Sequence, residues 1–203
     1  MVALEIDPRM GPLLAESAPK ADIVFGDALS YPLCDLLERL PEPRGLVSNL
    51  PYYITGPLLD RISEARRHFA IAVLMMQQEV ADKIAAPAGN GARGAVSVHL
   101  QSCFEIEHVI KAPASAFLPP PKVDSAVLAF TPRISLVTAE RETMFVKFVR
   151  AGFVQPRKTL ANNLASWGRE KVEGVLGVLG LPLLVRPHQL KEGDWIALLE
   201  ALQ

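Results

Sequence analysis

The chain has 203 residues, half of them hydrophobic, and a formal net charge of −1 at pH 7. This length and composition allow one domain with a substantial core, or one such domain plus a small appendage, and the near-neutral charge argues against binding of nucleic acid by bulk electrostatics. No apolar run is long enough and free enough of charge to predict a membrane span, and the acidic first strand is unlike a secretion leader, so we expect a cytoplasmic protein without a membrane partner.

Strand-like apolar runs alternate with helical patterns over the first two thirds of the chain. The expected strands are Val2–Ile6, Ile23–Phe25, Leu46–Ser48, Ile71–Met75, Glu105–Lys111 and Ser125–Thr131. The expected helices begin after Pro8 and Pro32, run from Gly56 to Arg67, start again at Glu79, and recur near Ala95–Ser102. The order βαβαβα, closed by an antiparallel pair, predicts an α/β fold with a Rossmann-like doubly wound sheet. Ligands of such sheets bind at the carboxyl ends of the strands.

After Pro132 the pattern changes to helices alone. They are expected at about 138–153, 157–166, 169–179 and 189–202. We therefore predict an α/β catalytic domain over residues 1–133 and a small all-α domain over residues 134–203. In the second domain four basic residues follow one another without an intervening acid and are interleaved with Phe148 and Phe153, a pattern typical of nucleic-acid contact. These residues are Lys147, Arg150, Arg157 and Lys158.

The cysteines and histidines give no sign of a metal site. Cys34 and Cys103 are far apart and lie in apolar-periodic segments. Neither shares a metal-type spacing with any of the four histidines. We therefore expect two free, buried thiols and no metal.

The segment Asn49-Leu50-Pro51-Tyr52 directly follows the third predicted strand. The exocyclic amine of a nucleobase is a poor nucleophile because its lone pair is delocalised into the ring, so an enzyme that alkylates it must accept hydrogen bonds from both N–H groups. The Asn49 side-chain oxygen and the Leu50 carbonyl can be these acceptors, since Pro51 restricts Leu50 to extended conformations. Tyr52 then offers a flat face to the base. The alternative is an ordinary strand followed by a proline turn with packed tyrosines.

Acidic residues also close the first two strands. Glu5 ends the first, where a carboxylate commonly accepts hydrogen bonds from the ribose of a nucleotide-like cofactor. Asp27 and Ala28, beside Gly26, end the second, where the carboxylate can accept from an adenine amino group and the glycine lets the ring approach. A solvated charge and a helix N-cap are the respective alternatives. With Asn49, polar groups stand at three successive strand ends.

These segments resemble, in order and spacing, those of the ribosomal RNA adenine N6,N6-dimethyltransferase family, in its bacterial small-subunit form rather than its erythromycin-resistance branch. The resemblance covers essentially the whole chain. It is most specific in Phe117-Leu118-Pro119-Pro120-Pro121-Lys122-Val123-Asp124-Ser125-Ala126-Val127. The other matching segments are Val2–Asp7, Gly26–Leu29, Asn49–Thr55, Gln78–Ala81, Arg157–Leu164 and Arg186-Pro187.

The resemblance implies a class I methyltransferase that transfers two methyl groups from S-adenosylmethionine to N6 of each of two adjacent adenines near the 3′ end of small-subunit (16S) rRNA. The substrate would be the immature 30S subunit, and no stable protein partner is inferred. Cofactor binding would fall to Glu5, Asp27, Ala28 and Asn49, and catalysis to Asn49, Leu50, Pro51 and Tyr52. The base or its RNA would contact Tyr52, Phe117, Lys122, Arg150, Arg157 and Lys158. A core aromatic is the alternative for Phe117, and a solvated helix face is the alternative for each basic residue.

The chain departs from the family at its beginning. The family's first strand and Gly-rich cofactor loop lie upstream of the acidic strand, whereas this sequence starts at Met1 within the expected second strand. We therefore expect an N-terminally shortened form, from an internal start or a truncation, with weakened S-adenosylmethionine binding and a gap between the strands that end at Glu5 and Ser48. The G-x-G-x-x-G pattern at Gly89–Gly94 follows a helix and comes after the catalytic segment, so we expect a mobile inter-helix loop, with RNA as its partner, instead of a cofactor loop.

Two other functions stay open. A non-catalytic RNA-binding or ribosome-assembly protein is compatible with the absent cofactor loop. A protein glutamine-amide methyltransferase would also hold a planar amide with Asn-x-Pro-Tyr, although such enzymes usually have Pro where this chain has Leu50.

Overall fold

The computed structural model describes residues 1–134, 137 and 139–203. Every predicted strand is present, with bounds that differ by one or two residues. The strands are β1 (Val2–Glu5), β2 (Asp22–Phe25), β3 (Gly45–Asn49), β4 (Ile71–Gln77), β5 (Phe104–Ala112) and β6 (Ser125–Pro132). The first five helices are α1 (Gly11–Ser17), α2 (Leu33–Glu38), α3 (Thr55–Glu64), α4 (Gln78–Ala85) and α5 (Ala95–Cys103). The others are α6 (Ala139–Gly152), α7 (Leu160–Asn163), α8 (Arg169–Val178) and α9 (Glu192–Leu202).

The strands form two separately hydrogen-bonded sheets. β1 and β2 pair in parallel, in a register that runs from Val2 opposite Asp22 to Glu5 opposite Phe25. The other four strands have the order β3-β4-β6-β5, parallel between β3 and β4 and antiparallel elsewhere. The closing antiparallel pair is therefore confirmed, and the expected doubly wound sheet is interrupted between β1 and β3.

A cleft separates β1 from β3, as the sequence predicts. Among the described residues, the only strand partner of β1 is β2, and the only strand partner of β3 is β4. A cavity of about 460 Å³ lies between the two free edges and is lined mainly by apolar residues of β1, α2, β3 and α3. Val47, at the middle of β3, is 83% exposed. An exposed apolar side chain beside an unpaired edge is unusual for a strand at the centre of an α/β fold.

The main core lies on the four-stranded sheet. β4 buries every second residue, as the period of a strand dictates, and Leu74 and Met76 are fully buried. Phe104 of β5 stacks on Phe69 and meets Phe130 of β6 edge to face, with ring centroids 6.2 and 5.7 Å apart. This packing fixes β4 between β6 and β3, and β3 ends at the segment Asn49–Tyr52.

A second core joins the C-terminal helices. Phe148 of α6 and Trp195 of α9 are fully buried and in edge-to-face contact, with centroids 5.8 Å apart. Val98 of α5 belongs to the same cluster, so the helical part packs directly on the α/β part. None of the described helices combines the length and the apolar character needed to cross a bilayer.

The helical part differs from expectation at its second helix. The predicted helix over 157–166 is only α7, four residues long, followed by a separate 3₁₀ turn at Ala165–Trp167. Thr159 caps α7 through its side chain, and Gly168 has a φ of +88°, which few other residues adopt. The predicted α6 began at residue 138, which lies outside the described residues. The domain boundary near residue 134 stays a prediction.

Candidate active site

The segment Asn49–Tyr52 is fixed through the backbone amide of Leu50, while two of its hydrogen-bond acceptors are unused by the described residues. The Leu50 amide donates to the Met75 carbonyl over 2.9 Å, and the Leu50 side chain is buried. Pro51 has φ −59° and ψ 128°, a φ within the narrow range that the proline ring allows. Within the described part of the chain, neither the Asn49 side-chain amide nor the Leu50 carbonyl has a hydrogen-bond partner. Both groups that should accept from an amine are therefore available at the end of β3.

Tyr52 is held from its far end. Its hydroxyl oxygen lies 2.8 Å from the hydroxyl oxygen of Ser125, which is fully buried at the start of β6. Ser125 pairs with Gln77 in the sheet, so the anchor is rigid. The Tyr52 ring is still 38% exposed, whereas the neighbouring Tyr53 is 86% exposed. A contact between residues 73 positions apart leaves no signal in the sequence, which is why the role of Ser125 was missed.

Phe117 and Lys122 lie in the loop between β5 and β6. The base of this loop is closed by Asp124, whose carboxylate accepts from the Ala114 amide over 2.8 Å and whose carbonyl accepts from the Gln78 amide over 3.0 Å. Phe117 is half-buried and belongs to neither hydrophobic core, which speaks against its alternative as a core aromatic. Lys122 is exposed.

Glu5 and Asp27 each use one carboxylate oxygen within the protein. Oε1 of Glu5 accepts from the Asp7 amide over 2.9 Å, and Oδ1 of Asp27 accepts from the Leu29 amide over 2.9 Å. Their second oxygens accept no hydrogen bond from any described residue. Asp27 does not cap a helix, because α2 begins only at Leu33. One carboxylate oxygen of each residue is therefore free of partners within the described residues, and the roles predicted for them toward the ribose and adenine of a cofactor stay predictions.

Gly26 makes room for a side chain of the protein itself. A Cβ at this position would lie 2.6 Å from a ring carbon of Tyr31. The glycine therefore admits Tyr31, and the expectation that it lets a cofactor ring approach stays a prediction. Ala28, next to the turn, is half-buried and lines the cleft between β1 and β3.

The three basic residues of the helical part that are predicted to contact RNA differ in their surroundings. Arg150 forms an ion pair with Asp60 of α3, with N and O atoms 3.1 Å apart. Arg157 and Lys158 are exposed in the turn before α7, and neither side chain has a partner among the described residues. The aromatic residues interleaved with them are core residues, since Phe148 is fully buried and Phe153 stacks on Trp195.

The G-x-G-x-x-G segment connects α4 to α5, as expected. The expected mobility of this loop is not supported, because two of its residues make contacts with other parts of the protein. Arg93 is buried, donates to the Ala86 carbonyl over 2.6 Å, and forms an ion pair with Glu192 of α9. The Gly89 amide donates to the His188 carbonyl over 2.8 Å. The loop thus ties the α/β part to the helical part.

One group of potential metal ligands escaped sequence analysis. Ligand atoms of His99, Cys103 and Glu142 lie within 4.8 Å of one another. However, Arg66 donates to both oxygens of Glu142, over 3.0 and 2.7 Å, and so already neutralises this carboxylate. Burial lowers the pKa of His99 and raises the pKa of the Cys103 thiol, so both groups favour their neutral forms. We interpret the group as a polar contact between α5 and α6. Both cysteines are free, with Cys103 buried and Cys34 half-buried.

β1 and β3 end at Glu5 and Asn49, and Asp27 lies just after β2, which ends at Phe25. These strand ends, with the Asn-x-Pro-Tyr segment that begins at Asn49, define the fold of a class I S-adenosylmethionine-dependent methyltransferase. Residues 1–197 match the family described as ribosomal RNA adenine dimethylase. The chain belongs to this family.

Individual relatives agree with this assignment. A ribosomal RNA small subunit methyltransferase A from Synechococcus sp. strain JA-3-3Ab is 38% identical over 210 residues, an alignment that covers 100% of this chain and 73% of the relative. The same enzyme from Geobacillus thermodenitrificans is 37% identical over 215 residues, with the same coverages of 100% and 73%.

Solved structures share the fold. A dimethyladenosine transferase from Plasmodium falciparum superposes with a TM-score of 0.76 at 24% identity, covering 98% of this chain and 80% of the other. The 23S rRNA methyltransferase ErmE superposes with a TM-score of 0.69 at 28% identity, covering 99% of this chain and 81% of the other.

Proposed function

We propose that this protein transfers methyl groups from S-adenosylmethionine to N6 of two adjacent adenines near the 3′ end of small-subunit (16S) rRNA, giving N6,N6-dimethyladenosine during maturation of the small subunit. The observation that carries the proposal is the pair of unused acceptors, the Asn49 amide oxygen and the Leu50 carbonyl, on a strand end fixed by the Leu50 amide bond to Met75. Family membership supports the adenine of rRNA as the target, and the names of the relatives support the small subunit.

The acceptors act by orientation. When bound, S-adenosylmethionine supplies an electrophilic methyl group. Asn49 and Leu50 accept hydrogen bonds from the two N–H groups of the adenine amine, which directs its lone pair away from the ring and toward the methyl carbon. Fixing two reactants in this way lowers the barrier without proton abstraction, so the site needs no general base. Asn49 is exposed, and the proton that the methylated amine releases can pass to water.

The aromatic residues hold the base. Reaching N6 requires the adenine to leave its stack and enter the site. Tyr52, anchored by Ser125, then stacks on one face, and Phe117 closes the opposite face. Each base–aromatic stack stabilises such a complex by about 1–3 kcal/mol. This offsets much of the cost of unstacking.

The exposed basic residues contact the RNA backbone. Arg157 and Lys158 have no protein partner in the described part of the chain and are free for phosphates. Lys122 is exposed and lies in the same loop as Phe117. Phosphate contacts position RNA without reading its sequence. A substrate of this kind, an assembling small subunit, implies action in the cytoplasm.

The cofactor half of the site is the less complete half. Glu5 and Asp27 offer acceptors, but the neighbouring edges of β1 and β3 are unpaired and a cavity of about 460 Å³ separates them. We therefore expect the chain by itself to bind S-adenosylmethionine weakly. Titration calorimetry measures this directly, and an affinity equal to that of the longer relatives contradicts the expectation.

Transfer of labelled methyl groups to immature small subunits tests the function. Label in N6,N6-dimethyladenosine near the 3′ end of the rRNA is the expected result. Label in protein indicates a glutamine-amide methyltransferase instead. Binding to the subunit without transfer indicates a non-catalytic assembly factor, an alternative that the cleft beside β1 makes worth measuring.

A further inference from the structure

Arg61 of α3 lies between the two sheets. Its guanidinium donates from one terminal nitrogen to the Leu29 carbonyl over 2.7 Å and from the other to the Tyr31 carbonyl over 2.6 Å. These partners stand 32 and 30 residues away in the chain. Fork-like donation from one guanidinium to two acceptors fixes direction as well as distance.

The acceptors belong to the turn after β2, residues 27–31. Within this turn, the Leu29 amide donates to the Asp27 carboxylate over 2.9 Å and the Tyr31 amide donates to the Asp27 carbonyl over 2.7 Å. The turn therefore directs amides toward Asp27 and leaves two carbonyls for Arg61. A charged donor holds the turn that presents Asp27 and Ala28.

Arg61 supplies the polar connection between the β1–β2 unit and the rest of the protein. In the described part of the chain, its two bonds are the only hydrogen bonds that join residues 1–31 to any residue beyond 39. The other contacts are apolar, such as Leu4 and Leu29 against the main core. Apolar contacts are not directional and leave the orientation of the small sheet weakly determined.

The other end of this connection reaches the amine-holding segment. α3 begins at Thr55, whose hydroxyl donates to the Pro51 carbonyl over 3.1 Å. Leu58, Leu59 and Ile62 of α3 are buried in the main core. Arg61 therefore projects from a helix that is rigidly joined to Asn49–Tyr52.

We propose that Arg61 is a positioning residue that fixes the turn 27–31, and with it Asp27 and Ala28, relative to Asn49. The cofactor's adenosine and the acceptor amine are thereby held at a constant separation across the cleft. This inference rests on the proposed function, in which Asp27 and Ala28 contact the cofactor.

The test compares Arg61→Met with Arg67→Met in the full chain. Methionine keeps most of the side-chain length and removes the donors, and Arg67 is a matched control because it is exposed and has no partner among the described residues. Amide hydrogen exchange at residues 29–31 reports on the turn, and NMR titration with S-adenosylmethionine reports on binding. Circular dichroism verifies that each variant is folded.

For Arg61→Met we expect exchange at residues 29–31 to accelerate and the Kd for S-adenosylmethionine to rise, each about tenfold, the effect of losing one charged hydrogen bond. RNA affinity should not change. Arg61→Lys, which can make one of the two bonds, should recover part of both losses. Arg67→Met should behave as the wild type.

Three results overturn the proposal, and the first two show whether the proposed function fails with it. If Asp27→Ala weakens cofactor binding but Arg61→Met does not, Arg61 has no positioning role and the proposed function is unaffected. If wild type and Asp27→Ala bind S-adenosylmethionine equally, the cofactor role of Asp27 fails, and the proposal about Arg61 fails with it. Unchanged amide hydrogen exchange at residues 29–31 in a folded Arg61→Met variant also refutes the proposal that Arg61 fixes this turn.

Discussion

The two sheets of this protein differ in strand pairing and in burial. In the four-stranded sheet, β4 is paired on both sides, and its Leu74 and Met76 are fully buried. In the β1–β2 sheet each strand has one partner, and none of the eight residues is fully buried. The first sheet leads into Asn49 and Leu50, which we propose to hold the target amine. The second carries Glu5 and leads into the turn after β2, both of which we propose to contact the methyl donor.

The difference shows that the two ends of one site can be held in place in different ways. The amine-holding end is determined by close packing, which transmits small displacements as strain. The donor end is held by apolar contacts and by the two Arg61 bonds to residues 29 and 31, the only hydrogen bonds in the described part of the chain that join residues 1–31 to any residue beyond 39. Mutations should therefore act on the two ends in different ways.

Asn49→Ala is the largest expected effect, because it removes an acceptor that the packed end supplies to the reacting amine. Methyl transfer should fall about a hundred- to a thousandfold, the range for losing one well-placed hydrogen-bonding group in an active site. RNA binding should be retained. Single-turnover transfer of labelled methyl measures the loss, and Asn90→Ala in an exposed turn is the control. Residual transfer above a few per cent would show that this end does not dominate catalysis.

Leu74→Ala and Leu4→Ala compare the stability of the two sheets directly. Leu74 is fully buried, so its truncation should lower the free energy of unfolding by about 3 kcal/mol. Leu4 of β1 is only partly buried, and its truncation should cost about 1 kcal/mol. Urea unfolding followed by far-UV circular dichroism gives both values. Equal losses would mean that β1 is packed as firmly as β4.

Tyr52→Phe and Ser125→Ala examine the anchor of the stacking ring. Each removes one hydroxyl of a single hydrogen bond and should weaken binding of the target base about five- to tenfold. The double variant should be no worse than either single one, because both remove the same contact. Fluorescence of 2-aminopurine at the target position reports the stacking. Tyr53→Phe is the control, and additive losses would show that the two hydroxyls act separately.

The smallest effects are expected on the RNA-binding surface. Arg157→Ala and Lys158→Ala should each weaken RNA binding about threefold and reduce the slope of affinity against salt by about one phosphate contact. Arg150→Ala should have less effect, because Asp60 already pairs with this charge. Filter binding over a series of salt concentrations measures all three. A loss for Arg150→Ala larger than that for Arg157→Ala would mean that RNA displaces the ion pair.

Local patterns predicted the elements well and failed where distant residues compete. The apolar run that predicts β4 and the proline that follows β3 are local features, and the strand and the φ of Pro51 are both as expected. In the sequence, Phe148 and Phe153 have the pattern of a basic, aromatic RNA surface. In the structure, both rings pack against Trp195 of α9 in the second core. Gly26 has the pattern of a cofactor turn, and only the fold shows that Tyr31 lies against it.

The sequence by itself determined which segments form strands, the residues at their carboxyl ends and the family, because strand period, proline geometry and motif spacing act over a few residues. Comparison with the family's motifs also predicted the break between β1 and β3, because the family's first strand and Gly-rich loop are not among the segments of this sequence. The tertiary structure alone decided which of the polar groups are free and which are engaged. That depends on contacts between residues 30 to 90 positions apart, such as Arg61 with Tyr31, Tyr52 with Ser125, and Arg150 with Asp60. Such contacts arise only when the packed core brings their elements together, so no local pattern encodes them.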